Sequence, residues 1–170
     1  MVTFKDNPIE LIGTTIQEKD QAENFELCGS DLKRIGLNAF EGKVKILNIF
    51  PSLDTGVCEK SIIEFQKRVA GFNEVVLIHI SKDLPFAQSR FCQAKRQPSA
   101  NTLSAFDSSF GEDYGLLIGS GPLKGLLARC VLILDSQNKI IYKELVREIT
   151  QEPNYGAVIE FLETYLNPQE

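Results

Sequence analysis

Two apolar runs and the segment between them constrain this chain more than any other feature. Residues 44–50 and 74–80 are nearly continuous in apolar and β-branched side chains, as strands covered on both faces are. Between them, residues 59–70 place Ile62, Phe65, Gln66 and Val69 three and four apart, which is the inward stripe of an amphipathic helix. Strand, helix and strand in this order predict a βαβ unit with parallel strands and a right-handed crossover.

The flanking segments extend that unit. Upstream, residues 9–12 and 16–18 read as a hairpin about Gly13-Thr14, and residues 25–28 and 32–35 as two further short strands. Downstream, Asp83 can cap a helix over residues 85–94, with Pro85 in its first turn. Residues 101–104 suit a short strand and 107–114 a short helix or turn. Residues 126–134 and 140–146 form a hairpin across the polar link 135–139. A last helix over 154–166 turns Tyr155, Val158, Ile159, Leu162, Tyr165 and Leu166 inward. The expected fold is therefore α/β: a thioredoxin-like arrangement with an N-terminal β-hairpin extension and a central mixed sheet flanked by helices. Residues 1–170 are expected to form a single domain, a length that buries a real core without staples.

The chemistry is expected at residues 51–58, where the first run gives way to the helix. Cys58 falls at or just inside the first helical turn. The N–H groups there lack intrahelical acceptors, and the helix dipole favours a thiolate over a thiol. Thr55 offers a hydroxyl that can cap the helix or meet the sulfur. Pro51 fixes its own φ and shapes the loop. The N–H groups of Val57 and Cys58 are expected to face the pocket, where they can stabilise developing negative charge. The other cysteines are Cys28, Cys92 and Cys130. Cys28 and Cys130 read as buried thiols on strands, and Cys92 lies near the end of the helix over 85–94. The one histidine, His79, lies within the second apolar run and reads as a packed or hydrogen-bonded strand histidine.

Three blocks resemble a known family. They are Ile49-Phe50-Pro51-Ser52-Leu53-Asp54-Thr55-Gly56-Val57-Cys58, Asp83-Leu84-Pro85-Phe86-Ala87-Gln88-Ser89-Arg90-Phe91-Cys92, and Gly121-Pro122-Leu123-Lys124-Gly125-Leu126 with its continuation to Arg129. In this order and spacing they are similar to the bacterial thiol peroxidase branch of the peroxiredoxins, over nearly the whole chain. The resemblance implies the thioredoxin fold, Cys58 as peroxidatic cysteine and Cys92 as resolving cysteine in the same chain. Arg129 opens the strand that carries Cys130. A guanidinium there could as well form a surface ion pair; the resemblance assigns it to the active site. It further implies reduction of hydrogen peroxide and organic hydroperoxides, thioredoxin as reductant, a homodimer, and no metal or organic cofactor.

Composition narrows the alternatives. With 18 Lys and Arg against 23 Asp and Glu the net charge is -5, and no basic run is interleaved with aromatics, so nucleic acid is not an expected partner. Residues 1–8 lack the apolar core of a secretory signal, and no stretch is long and apolar enough to span a membrane, which points to the cytoplasm. The cysteines match no zinc spacing, and no metal is expected. The loop Gly119-x-Gly121-x-x-Lys124 completes neither a dinucleotide fingerprint nor a P-loop. A thioredoxin-like disulfide oxidoreductase is disfavoured because Cys58-Glu59-Lys60-Ser61 lacks a second cysteine. A peroxide-responsive redox sensor acting through disulfide-dependent partner binding is the alternative.

Overall fold

In a computed structural model, residues 1–168 are described. The strands are β1 (Val2–Phe4), β2 (Asn7–Ile9), β3 (Leu11–Ile12), β4 (Leu27–Gly29), β5 (Arg34–Ile35), β6 (Val44–Ile49), β7 (Val75–Ser81), β8 (Asn101–Ser104), β9 (Leu117–Ile118), β10 (Cys130–Leu134) and β11 (Ile140–Leu145). The helices are α1 (Gly56–Val69), α2 (Pro85–Ala94), the single turn α3 (Phe110–Asp113) and α4 (Tyr155–Leu166). Seven strands form the main sheet in the order β11-β10-β6-β7-β8-β4-β5. β6, β7 and β8 run parallel, and β10, β11, β4 and β5 add antiparallel edges, so the sheet is mixed, as expected.

Strand alternation sorts side chains onto two faces. Val44, Ile46, Leu77, Val131 and Ile133 pack with Phe65 and Val69 of α1 and Val158 and Leu162 of α4. Phe65 meets Tyr155 edge-on at 5.0 Å, tying the two helices together. Leu47, Ile49, Ile78, Ile80, Cys130 and Leu132 face the opposite core with Phe25, Phe110 and Tyr114. Arg129 immediately precedes β10, and the alternation puts it in phase with Val131 and Ile133, on the α1 side.

The N-terminal hairpin exists but uses other residues. β1 pairs with β2 through Lys5 and Asp6, whose φ of 50° and 66° are the left-handed pair of a tight hairpin turn. The expected partners 9–12 and 16–18 separate: Leu11 and Ile12 pair with Ile118 and Leu117, and Ile16 is buried without joining a strand. Gly13, at φ 111°, explains the difference. Its backbone lies against Glu112, whose carbonyl oxygen would be 2.0 Å from an added Cβ, and Thr14 N–H donates to that same carbonyl at 2.8 Å. The chain therefore runs over α3 instead of turning back. β10 also starts later than expected, at Cys130, because residues 125–128 exchange hydrogen bonds with residues 116–118 first. On α4, Tyr165 is 43% exposed rather than inside, and Val158 and Leu162 are the residues that are fully buried.

Candidate active site

β6 delivers the chain to the site. Its pairing with β7 continues one residue past its end, with Phe50 N–H donating to the Ile80 carbonyl at 3.1 Å. Pro51 and Leu53 are buried, and the loop closes when Thr55 N–H and Thr55 Oγ1 both donate to the Ser52 carbonyl. Thr55 is extended (φ −106°, ψ 140°) and is the N-cap of α1; its hydroxyl accepts from Cys58 N–H at 3.4 Å. The Cys58 N–H is therefore turned to the cap and not, as expected, to the pocket, and the Thr55 hydroxyl serves the backbone at both ends of the turn. Val57 is half-buried. Cys58 is the third residue of α1, with an exposure of 0%. It packs with Phe50, Leu53, Ile62 and, from α2, Phe91.

Arg129 closes the site from the sheet. Its Nη1 lies 3.4 Å from Cys58 Sγ, and its Nε donates to the Ile149 carbonyl at 2.9 Å. The side chain is 2% exposed. Among the described residues there are four ion pairs, and none contains Arg129. A buried guanidinium without a carboxylate is costly unless another anion faces it. The group that faces it is the sulfur of Cys58.

Beneath α1 runs a buried polar chain. Asn48 on β6 and His79 on β7 are register partners on the α1 face. Asn48 Nδ2 donates to Ser61 Oγ at 3.2 Å and lies 3.0 Å from His79 Nδ1; His79 Nε2 lies 3.1 Å from Gln66 Oε1. Ser61 Oγ donates to the Cys58 carbonyl at 2.8 Å. With Asn48 donating to Nδ1, the ring proton sits on Nε2 and is donated to Gln66. Burial pushes His79 down to about 3, so the ring is neutral. His79 is thus a hydrogen-bonded strand histidine, and it is linked to the Cys58 turn.

Cys92 occupies a different setting. It is in the last turn of α2, half-buried, and lines a cavity of about 540 Å³ with Ser89, Arg96 and Thr102 among its walls. Burial pushes its thiol up, partly offset by a hydrogen bond with Thr102. All four cysteines are free thiols, and α1 and α2 are both intact around Cys58 and Cys92. Cys28 and Cys130 are buried, and burial pushes the Cys130 thiol up to about 12. Sequence reasoning missed the walls supplied by Ile62 and Phe91. It also misassigned Asp83. α2 is capped by Leu84 without a side-chain bond, and the Asp83 carboxylate reaches back to the Cys58 loop instead. No group of three or more metal-ligating side chains occurs among the described residues. No helix among them is long and apolar enough to cross a membrane.

A helix N-terminus that presents a buried thiol to a guanidinium, on a thioredoxin-like sheet, defines a thiol-chemistry enzyme of that fold class. Comparison with known proteins is more specific. The redoxin family pattern matches residues 17–159. Thiol peroxidases of Mycobacterium bovis and Mycobacterium tuberculosis are 45% identical to this chain over 161 residues, covering 95% of it and 97% of each relative. A peroxiredoxin-like protein from Aquifex aeolicus superposes with a TM-score of 0.91 at 39% identity, covering 95% of both chains. A thiol peroxidase from Chromobacterium violaceum has the same fold, with a TM-score of 0.90 at 21% identity over 98% of this chain and 97% of its own. The chain belongs to the redoxin family and, within it, is a peroxidase of the peroxiredoxin kind.

Proposed function

We propose that this chain, as a single thioredoxin-fold domain, reduces hydrogen peroxide and organic hydroperoxides with Cys58 as nucleophile and Cys92 as resolving thiol. The observation that carries the reading is Arg129: a buried guanidinium with no carboxylate partner among the described residues, 3.4 Å from Cys58 Sγ. A thiolate there neutralises it, and the same fork can hold a peroxide oxygen. The Cys58 thiolate attacks one peroxide oxygen. The O–O bond breaks, the second oxygen leaves as hydroxide or alkoxide and takes up a proton, and Cys58 becomes a sulfenic acid. Val57 N–H and Arg129 stabilise the charge moving onto the leaving oxygen, while Pro51 keeps solvent from the sulfur. Thr55 holds the turn and, on rotation of its hydroxyl, meets the incoming peroxide.

The Cys92 thiol then condenses with the sulfenic acid, releasing water and forming an intramolecular disulfide. A disulfide requires Cα atoms roughly 4.4–6.8 Å apart. Helix ends open at low cost, so the start of α1, the end of α2 or both unwind for this step. Thioredoxin, a dithiol reductant, reopens the bond. The working form is a cytoplasmic homodimer, and no metal or organic cofactor enters the cycle.

Steady-state turnover of hydrogen peroxide with excess thioredoxin, followed by mass mapping of alkylated peptides, tests this reading. One peroxide pulse should consume two of the four thiols, Cys58 and Cys92, and leave Cys28 and Cys130 free. Cys92→Ser should give one turnover, a Cys58 sulfenic acid and no thioredoxin-dependent cycling. A bond joining Cys28 to Cys130, or Cys58 joined between two chains, would overturn the assignment of Cys92.

A further inference from the structure

One carboxylate links the two segments that carry the reacting thiols. Ser52 Oγ donates to Asp83 Oδ1 at 2.8 Å, Leu53 N–H to Oδ2 at 2.8 Å and Ser81 Oγ to Oδ2 at 2.6 Å. Ser52 and Leu53 belong to the loop that ends at Cys58, and Ser81 ends β7. The Asp83 main chain is itself anchored. Its N–H donates to Ser81 Oγ at 3.3 Å, and its carbonyl accepts from Ser104 Oγ on β8. Gln88 of α2 donates through Nε2 to the same Ser81 Oγ at 3.2 Å and to the Leu103 carbonyl at 3.1 Å. The sheet thus fixes Asp83 at the root of the Cys92 helix, while its carboxylate grips the Cys58 loop.

The grip passes along the loop to the sulfur. Ser52 Oγ accepts from Asp54 N–H, the Ser52 carbonyl accepts from Thr55, and Thr55 Oγ1 accepts from Cys58 N–H. Leu53, whose N–H is held, is one of the four side chains that enclose Cys58. Both bonds to Asp83 are made in the arrangement where α1 and α2 are intact and Cys58 and Cys92 are free thiols.

We propose that Asp83 is a positioning residue for both half-reactions. It holds the closed loop in which Cys58 meets peroxide, and it resists the opening that brings Cys58 to Cys92. The inference rests on the proposed Cys58–Cys92 cycle. Its consequence is a partition at the sulfenic acid. In one branch, Cys58–SOH and Cys92–SH give the disulfide and water. In the other, Cys58–SO⁻ attacks a second hydrogen peroxide to give the sulfinate and water. A tighter grip favours the second branch.

Asp83→Asn tests this, because the amide keeps the size but cannot accept from three donors at once. Wild type and variant receive a pulse of excess hydrogen peroxide without reductant, and mass mapping gives the sulfinate-to-disulfide ratio at Cys58. A stoichiometric pulse, quenched over time, gives the rate of Cys58 oxidation. The expected result is slower oxidation together with a lower sulfinate-to-disulfide ratio, each by about tenfold, the size of effect that loss of a charged hydrogen bond produces. Slower oxidation with an unchanged ratio would reduce Asp83 to a structural residue and overturn the proposal. So would a variant that matches wild type in both. Ser52→Ala removes one donor and leaves Asp83 in place, and should shift both readings the same way by less; it decides the matter if Asp83→Asn does not fold. If wild type forms no Cys58–Cys92 disulfide, the underlying cycle fails instead, and the same mapping shows it.

Discussion

Cys58 and Cys92 carry the same side chain in opposite surroundings. Cys58 is in the first turn of a helix, fully buried, with a guanidinium 3.4 Å away and a polar chain tying its carbonyl to the sheet. Cys92 is in the last turn of a helix, half-buried, lining a cavity, with its thiol pushed up by burial. The helix dipole favours an anion at the first place and disfavours it at the second. The contrast suits two tasks. In the proposed cycle Cys58, as nucleophile, is ionised before peroxide arrives, whereas Cys92, as resolving thiol, acts only after the sulfenic acid has formed and the helix end has opened. Position along a helix and the nearest cation separate the two roles, with no difference in the side chain itself.

The largest way to break the contrast is to remove the nucleophile. Cys58→Ser is nearly isosteric, yet serine is a poor nucleophile at neutral pH. Peroxide turnover should fall by more than about 10³-fold while circular dichroism stays that of wild type. Retention of most activity would place the chemistry at another thiol.

Changing the cation comes next. Arg129→Lys keeps a positive charge but loses the fork that contacts both Cys58 Sγ and the Ile149 carbonyl. The second-order rate of Cys58 oxidation should fall by about 10²-fold, the scale seen on losing one donor to a developing anion, with Cys92 alkylation unchanged. Equal slowing at both thiols would mean that Arg129 acts on the fold and not on the sulfur.

The last test is one of stability and concerns the polar chain that lies under Cys58. The folded state holds His79 neutral down to about 3, while the unfolded chain takes up a proton near the ordinary value of 6.5. Below 6.5 the unfolded state therefore binds the extra proton. Stability should fall as pH drops, by about 1.4 kcal/mol per pH unit from this one group, and the loss should stop near pH 3, where the folded form also protonates. Urea unfolding followed by circular dichroism across this range, compared with His79→Gln, isolates the contribution. The variant should lose the histidine slope between pH 6.5 and 3; an identical slope would show that His79 does not govern this limb.

Much of the molecule was legible in the chain because its signals are local. The run of six buried residues in β6, the stripe of α1 and the span of α4 follow from side-chain period. So does the placement of a thiol in the first turn of α1, since strand end, threonine cap and cysteine lie within nine residues of one another. Contacts between distant segments followed different rules. The sequence offered Asp83 as the cap of α2, a local role, but the structure gives its carboxylate to Ser52 and Leu53, thirty residues earlier in the chain. It offered residues 9–12 a partner just downstream, but Leu11 and Ile12 pair with β9, more than a hundred residues away. Asn48, His79 and Arg129 could each be placed on a strand face by alternation, while their mutual distances depended on parallel register and on how α1 settles over the sheet. Local backbone preferences act over a few residues and are written in the order of side chains. Which polar group satisfies which buried partner is decided only when the sheet closes and water leaves.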